Sequence, residues 1–114
     1  YTMKVTNLTS PRTGAKVANQ FVINDKGVEY FQSYDTIIAK KDNEGYTISS
    51  DYNYSNTTSR YFKQWLGEWG FDDSMVKVLK KWLETAKDGD YAPVELREQL
   101  FEVEGVQIKY VDSL

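Results

Sequence analysis

The chain has 114 residues, 40% hydrophobic and 15% aromatic, with a formal net charge of -3; that length suits one domain and that apolar load excludes disorder. With 0 Cys and 0 His it has no disulfide scaffold, thiol nucleophile, Cys/His zinc site or imidazole base, so only carboxylate, Lys or Tyr chemistry stays open to it. The charge is uneven: residues 1–41 hold six bases and three acids, and residues 88–114 hold seven acids and two bases.

No run approaches the roughly 18 apolar residues that span a bilayer, and the N-terminus lacks the parts of a signal peptide. The expectation is a cytoplasmic protein with no membrane contact, Met3 reading as a natural start with Tyr1 and Thr2 before it.

The first half reads as strands and turns. Met3 to Leu8 is a short strand candidate, and Pro11 and Gly14 bracket a polar loop. Lys16 to Ile23 alternates, with Val17, Phe21 and Ile23 on one face, and Asn24-Asp25-Lys26-Gly27 supplies a hairpin turn into Val28 to Ser33. Ile37-Ile38-Ala39 starts the next run, Asp42-Asn43-Glu44-Gly45 turns it, and Tyr46-Thr47-Ile48 returns antiparallel.

The period then changes. Phe62, Trp65, Leu66 and Trp69 fall at i, i+3, i+4 and i+7 on one helical face, with Asn56 or Thr57 as cap. Asp72 or Asp73 caps a second helix whose stripe is Val76, Leu79, Trp82, Leu83 and Ala86. Pro93 takes a first helical position in a third helix reaching Phe101, and Val106 to Val111 closes the chain as a strand. The fold class is α+β: an antiparallel β-meander of four to six strands packed on two or three helices on one face. The single domain over 1–114 divides into a strand-rich 3–50, a helical 56–101 and a final strand over 106–112.

Two groups of residues point to binding. Tyr30, Phe31, Tyr34, Tyr46, Tyr52, Tyr54, Tyr61 and Phe62 crowd one stretch of sheet and helix. They read first as core with hydroxyls reaching water; read as a surface, Tyr30, Tyr34, Tyr46, Tyr52 and Tyr54 stack on unpaired bases while Lys40, Lys41 and Arg60 hold phosphates. The second group is acidic: Glu95, Glu98, Glu102 and Glu104, a surface for a protein partner, with Trp69 and Trp82 as anchors if an indole is exposed.

Asp72-Asp73 and Asp88-Gly89-Asp90 read as caps and turns because neither has the spacing of a calcium loop. Gly67-Glu68-Trp69-Gly70 lacks the strand before it and the Lys-Ser/Thr after it that a phosphate loop needs. Lys77, Lys80 and Lys81 offer no base-reading Asn, Gln or Arg for a helix-turn-helix. No catalytic residue, cofactor or metal is expected.

Lys4-Val5-Thr6-Asn7-Leu8-Thr9-Ser10-Pro11, Val17-Ala18-Asn19-Gln20-Phe21, Tyr30-Phe31-Gln32-Ser33-Tyr34 and the run Asp51 to Tyr61 resemble a family of small uncharacterised proteins encoded by phages, prophages and conjugative elements of Gram-positive bacteria. The likeness covers roughly residues 3 to 67. It implies a cytoplasmic accessory role and favours binding of host proteins or nucleic acid over metabolism. The resulting expectation is a non-enzymatic accessory protein that binds a host or phage protein, its acidic surface mimicking nucleic acid; the alternative is a single-stranded nucleic-acid binder using a tyrosine-rich sheet face.

Overall fold

Lys26 and Gly27 both take left-handed backbone angles, φ 53° and 80°, and so close the two-residue turn between strands β2 (Lys16–Asp25) and β3 (Val28–Ser33). In the computed structural model, which describes residues 3–114, this hairpin is the centre from which the sheet grows on both sides. Tyr1 and Thr2, placed before the expected start, lie outside the described residues.

β1 (Lys4–Thr9) pairs with β2, β4 (Thr36–Lys41) with β3, and β5 (Gly45–Ser49) with β4, all antiparallel, so chain order is also spatial order. The meander ends there. The last strand, β6 (Gln107–Val111), lies parallel to β5, because the chain crosses the sheet before returning. The crossover holds a 3-10 turn (Ser50–Asn53) and three helices, α1 (Asn56–Glu68), α2 (Asp73–Leu83) and α3 (Val94–Leu100). At the join Gly45 has φ 142°, and a Cβ there would run into the backbone of Gln107.

The helices cover one face of the sheet. Phe31, Ala39, Ile48 and Ile108 point into the core against Phe62, Trp65 and Leu66 of α1 and Val76, Leu79 and Leu83 of α2. Phe31, Phe62 and Trp65 stack on one another with centroids 6.2 to 6.4 Å apart. In β4 the register shifts between the Phe31–Ala39 and Gln32–Ile37 pairs, so Ile38 is the extra residue of a bulge and is buried together with its neighbour Ala39.

Several local boundaries differ from the sequence reading. Ser55, not Asn56 or Thr57, caps α1: it alone has the extended backbone of a cap, and its Oγ accepts the Thr58 N–H at 3.1 Å. Asp72 caps α2 as expected, accepting the Met75 N–H at 2.9 Å, while Pro93 stands at the cap of α3 rather than in its first turn. Val17, Phe21 and Ile23 do not share a face. Gln20 and Val22 point to the helices, Phe21 and Ile23 point away, and Val17 rejoins the core side because Asn19 turns the strand with a left-handed φ of 65°.

The far edge of the sheet is closed. Ala92 N–H donates to Ile108 C=O and Tyr110 N–H to Asp90 C=O, each at 2.8 Å, so residues 90–92 occupy the outer side of β6. No helix among the described residues is long and apolar enough to cross a membrane.

Candidate functional site

The sheet face turned away from the helices is uncovered, and cross-strand register defines what lies on it. One row runs Val5, Ile23, Tyr30, Lys40, Thr47, Lys109 from β1 to β6; a second runs Asn7, Phe21, Gln32, Ile37. Val28 flanks them opposite Asp25. Val5 is exposed, and Phe21, Ile23, Val28, Tyr30 and Ile37 are half-buried and stand outside the main core. The face therefore has two halves: apolar across β1 to β3 and the start of β4, cationic where Lys40 and Lys109 stand. Tyr91 rims the cationic half, with Lys109 Nζ 5.4 Å from its ring centroid.

Of the tyrosines expected to form a stacking platform, Tyr30 alone lies in these rows, directly opposite Lys40. Tyr34 is exposed in the β3–β4 turn, where its left-handed φ of 57° places it at the end of the face. Tyr54 follows the 3-10 turn and Arg60 lies on the wet side of α1, both exposed and away from the sheet rows. Tyr46 and Tyr52 are core residues, a correction to the platform: sheet alternation turns Tyr46 toward the helices, and Tyr52 packs against Phe62 from the 3-10 turn. The Tyr46 ring meets Trp65 and Phe71 edge-on and stacks on Phe101 at 6.0 Å, and burial, helped by Glu29, pushes its hydroxyl up to about 12. Lys41 shares that inner side, its Nζ 5.5 Å from the Tyr46 centroid and 5.1 Å from that of Trp69.

A second feature sits where the end of α1 meets β1 to β3. Glu29 Oε2 accepts hydrogen bonds from two indoles, Trp65 Nε1 at 2.9 Å and Trp69 Nε1 at 2.7 Å. Beside them a cleft of about 420 Å³ is lined by Thr6, Leu8, Asn24, Glu29, Glu68 and Trp69 among others. Partial burial and then the Glu29 charge raise the Glu68 carboxyl above its usual range. Among the described residues no group of three or more acidic, His or Cys side chains stands close enough to hold a metal.

The acidic segment is split. Glu95, Glu98, Glu102 and Glu104 are all exposed, but only Glu98, Glu102 and Glu104 line a common groove, about 640 Å³ in volume, in which Arg97 and the exposed Val94 and Val103 interrupt them. Trp69 is 41% exposed and faces Glu102 and Val103 across a smaller groove of about 290 Å³. Trp82 is half-buried against the core, as its place in the helix stripe requires, and lines neither groove.

A family model described as a family of unknown function, DUF8033, matches residues 3–85. The chain belongs to that family. Neither the curated proteins nor the solved structures hold a match to it. The DUF8033 segment contains the open face from Val5 to Thr47, together with Glu29, Glu68 and Trp69 of the cleft. Lys109 and the four glutamates of the acidic segment lie beyond it.

The sequence reading missed Val5, Phe21, Ile23, Val28 and Ile37 as a surface. Its trace was in β2, where Phe21, Val22 and Ile23 are consecutive apolar residues, so that both faces carry apolar groups while helices are available for one.

Proposed function

We propose that this chain is a non-enzymatic protein-binding module whose open sheet face docks a protein partner. The observation that carries this reading is the row Val5, Ile23, Tyr30 with Phe21, Val28 and Ile37 beside it, an apolar surface left uncovered by the fold's own helices. An apolar half that reaches the β1 edge, with lysines on its other side, suits an interface whose core excludes water and whose rim holds charge. The complementary partner presents an apolar strip flanked by carboxylates that reach Lys40 and Lys109.

This reading moves the contact away from Glu95, Glu98, Glu102 and Glu104. Nucleic-acid mimicry needs regularly spaced charge, and Arg97, Val94 and Val103 break the acidic run. As an accessory protein of a phage or mobile element acting in the cytoplasm, the module would serve by occupying a surface of a host or phage protein.

One observation favours a second reading: Tyr30 lies directly opposite Lys40, a stacking group beside a cation, as single-strand binding requires. Against it, four of the six apolar residues on the face are aliphatic and offer no plane on which a base can stack.

The test compares Ile23→Glu and Tyr30→Glu with Glu95→Gln/Glu98→Gln in capture of partners from cells that naturally express the gene, alongside titration with single-stranded oligonucleotide at low salt. Protein binding through the face predicts that the first two variants lose a captured protein, that the glutamate variant keeps it and that no oligonucleotide binds. Salt-sensitive oligonucleotide binding lost in Tyr30→Glu would replace this reading with the second.

A further inference from the structure

The two edges of the sheet are treated differently, and the difference sits beside the apolar half of the open face. At β6 the outer edge is occupied by residues 90–92 through two backbone hydrogen bonds. At β1 nothing among the described residues pairs with the outer side: β2 is its one strand partner, and the Gln64 side chain reaches only the Thr9 carbonyl at the strand's end. From Lys4 to Asn7 the strand runs without proline or register shift, the first irregularity falling between Asn7 and Thr9. Met3 and Val5 are 55% and 52% exposed. Natural sheet edges are usually shortened, bulged or covered, and Lys4 is the single guarding charge on this one.

We infer that β1 pairs antiparallel with β1 of a second copy of this chain, about a twofold axis at Val5, joining two sheets into one of twelve strands. The strand is complementary to itself in that register. Val5 faces the second Val5, Lys4 faces Thr6 and Met3 faces Asn7, so no like charges meet; a register shifted to bring Lys4 opposite Lys4 is disfavoured for that reason. The pairing also completes the open face. Because its apolar half adjoins β1 and its lysines stand toward β6, two copies place their apolar halves side by side at the centre and Lys40 and Lys109 at both ends. The resulting surface is a continuous apolar strip bounded by cations at each end, wide enough for a long or twofold-symmetric partner.

The inference rests on the same face as the proposed function, but its test reads assembly and not partner capture. The absence of any native cysteine makes single-cysteine variants clean probes. Residues directly opposite in an antiparallel pair have Cα atoms about 4.5–5.5 Å apart, within disulfide reach. In the Val5-centred register two Asn7 residues stand roughly 14 Å apart along the strands and cannot be bridged. We expect the wild-type chain to sediment as a dimer, Val5→Cys to form a covalent dimer on mild oxidation and Asn7→Cys to remain uncrosslinked. Val5→Lys should sediment as a folded monomer, its folding checked by circular dichroism. A wild-type chain monomeric up to millimolar concentration, or equal crosslinking of the two cysteine variants, would overturn the pairing. If Val5→Lys does not fold, the cysteine pair still decides. Tyr30→Glu should dimerise as wild type while losing the partner, so failure of the face and failure of the edge give different results.

Discussion

Trp69, the half-exposed indole at the end of α1, donates a 2.7 Å hydrogen bond from Nε1 to Glu29 Oε2 in β3, forty positions earlier in the chain. The fully buried Trp65 donates to the same oxygen at 2.9 Å, so one carboxylate fixes two turns of helix to the sheet. Glu29→Ala leaves the Trp65 N–H enclosed without an acceptor, and a loss of about 1–3 kcal/mol is expected in urea unfolding. The same variant should alter the emission of Trp69, whose N–H loses the Glu29 carboxylate while its ring keeps the contact with Lys41.

Alkaline stability should be set by buried phenols. Tyr46 is pushed from 10.0 to about 12 by burial and then by Glu29, and Tyr52 is raised by burial and then by Glu84 and Tyr110. Between those limits the folded chain keeps a proton that the unfolded chain has lost, so stability falls as pH rises above 10 and through about 12. Urea midpoints measured across this window should decline in the wild type and decline less steeply in Tyr46→Phe.

Glu68 gives the acid counterpart. Its carboxyl is raised by partial burial and by Glu29, so the folded state holds its proton more tightly and stability is lost as pH climbs past 4.5. In Glu68→Gln that loss should disappear, which a comparison of thermal midpoints between mildly acidic and neutral pH would show.

Gly45 should tolerate no side chain. With φ 142° and the Gln107 backbone where a Cβ would lie, Gly45→Ala must either strain β5 or push β6 out of its parallel pairing. A destabilisation of about 3 kcal/mol or more is expected, with loss of amide protection in β6 on hydrogen exchange.

Gln20 is wholly enclosed, and neither polar atom of its side chain has a hydrogen-bond partner among the described residues. Gln20→Met keeps the length of the side chain and removes the amide, so stability should rise by about 1 kcal/mol, read as a higher urea midpoint.

What could be read in the sequence follows from how local each signal is. The hairpin at Lys26-Gly27, the stripe from Phe62 to Leu66 and the Asp72 cap are set by neighbours within one turn, and the structure holds all three. The parallel placement of β6 is not local: it depends on how the crossover packs, and nothing in Gln107–Val111 itself distinguishes a parallel from an antiparallel partner. The same limit explains the tyrosines. Tyr30 and Tyr46 are both strand residues, and only the position of the helices makes one surface and the other core. One apolar face per strand holds for β5 and fails for β2, where Val22 turns to the helices and Phe21 and Ile23 to the open face.

The open sheet face as contact surface is the central claim, and site-specific photocrosslinking tests it even while the partner is unidentified. A photoreactive side chain at Tyr30 and, separately, at Glu95 would be activated in cells that naturally express the gene. The account predicts a covalent adduct with a second protein from position 30 and none from position 95. Adducts from position 95 alone would contradict it and return the contact to the acidic segment.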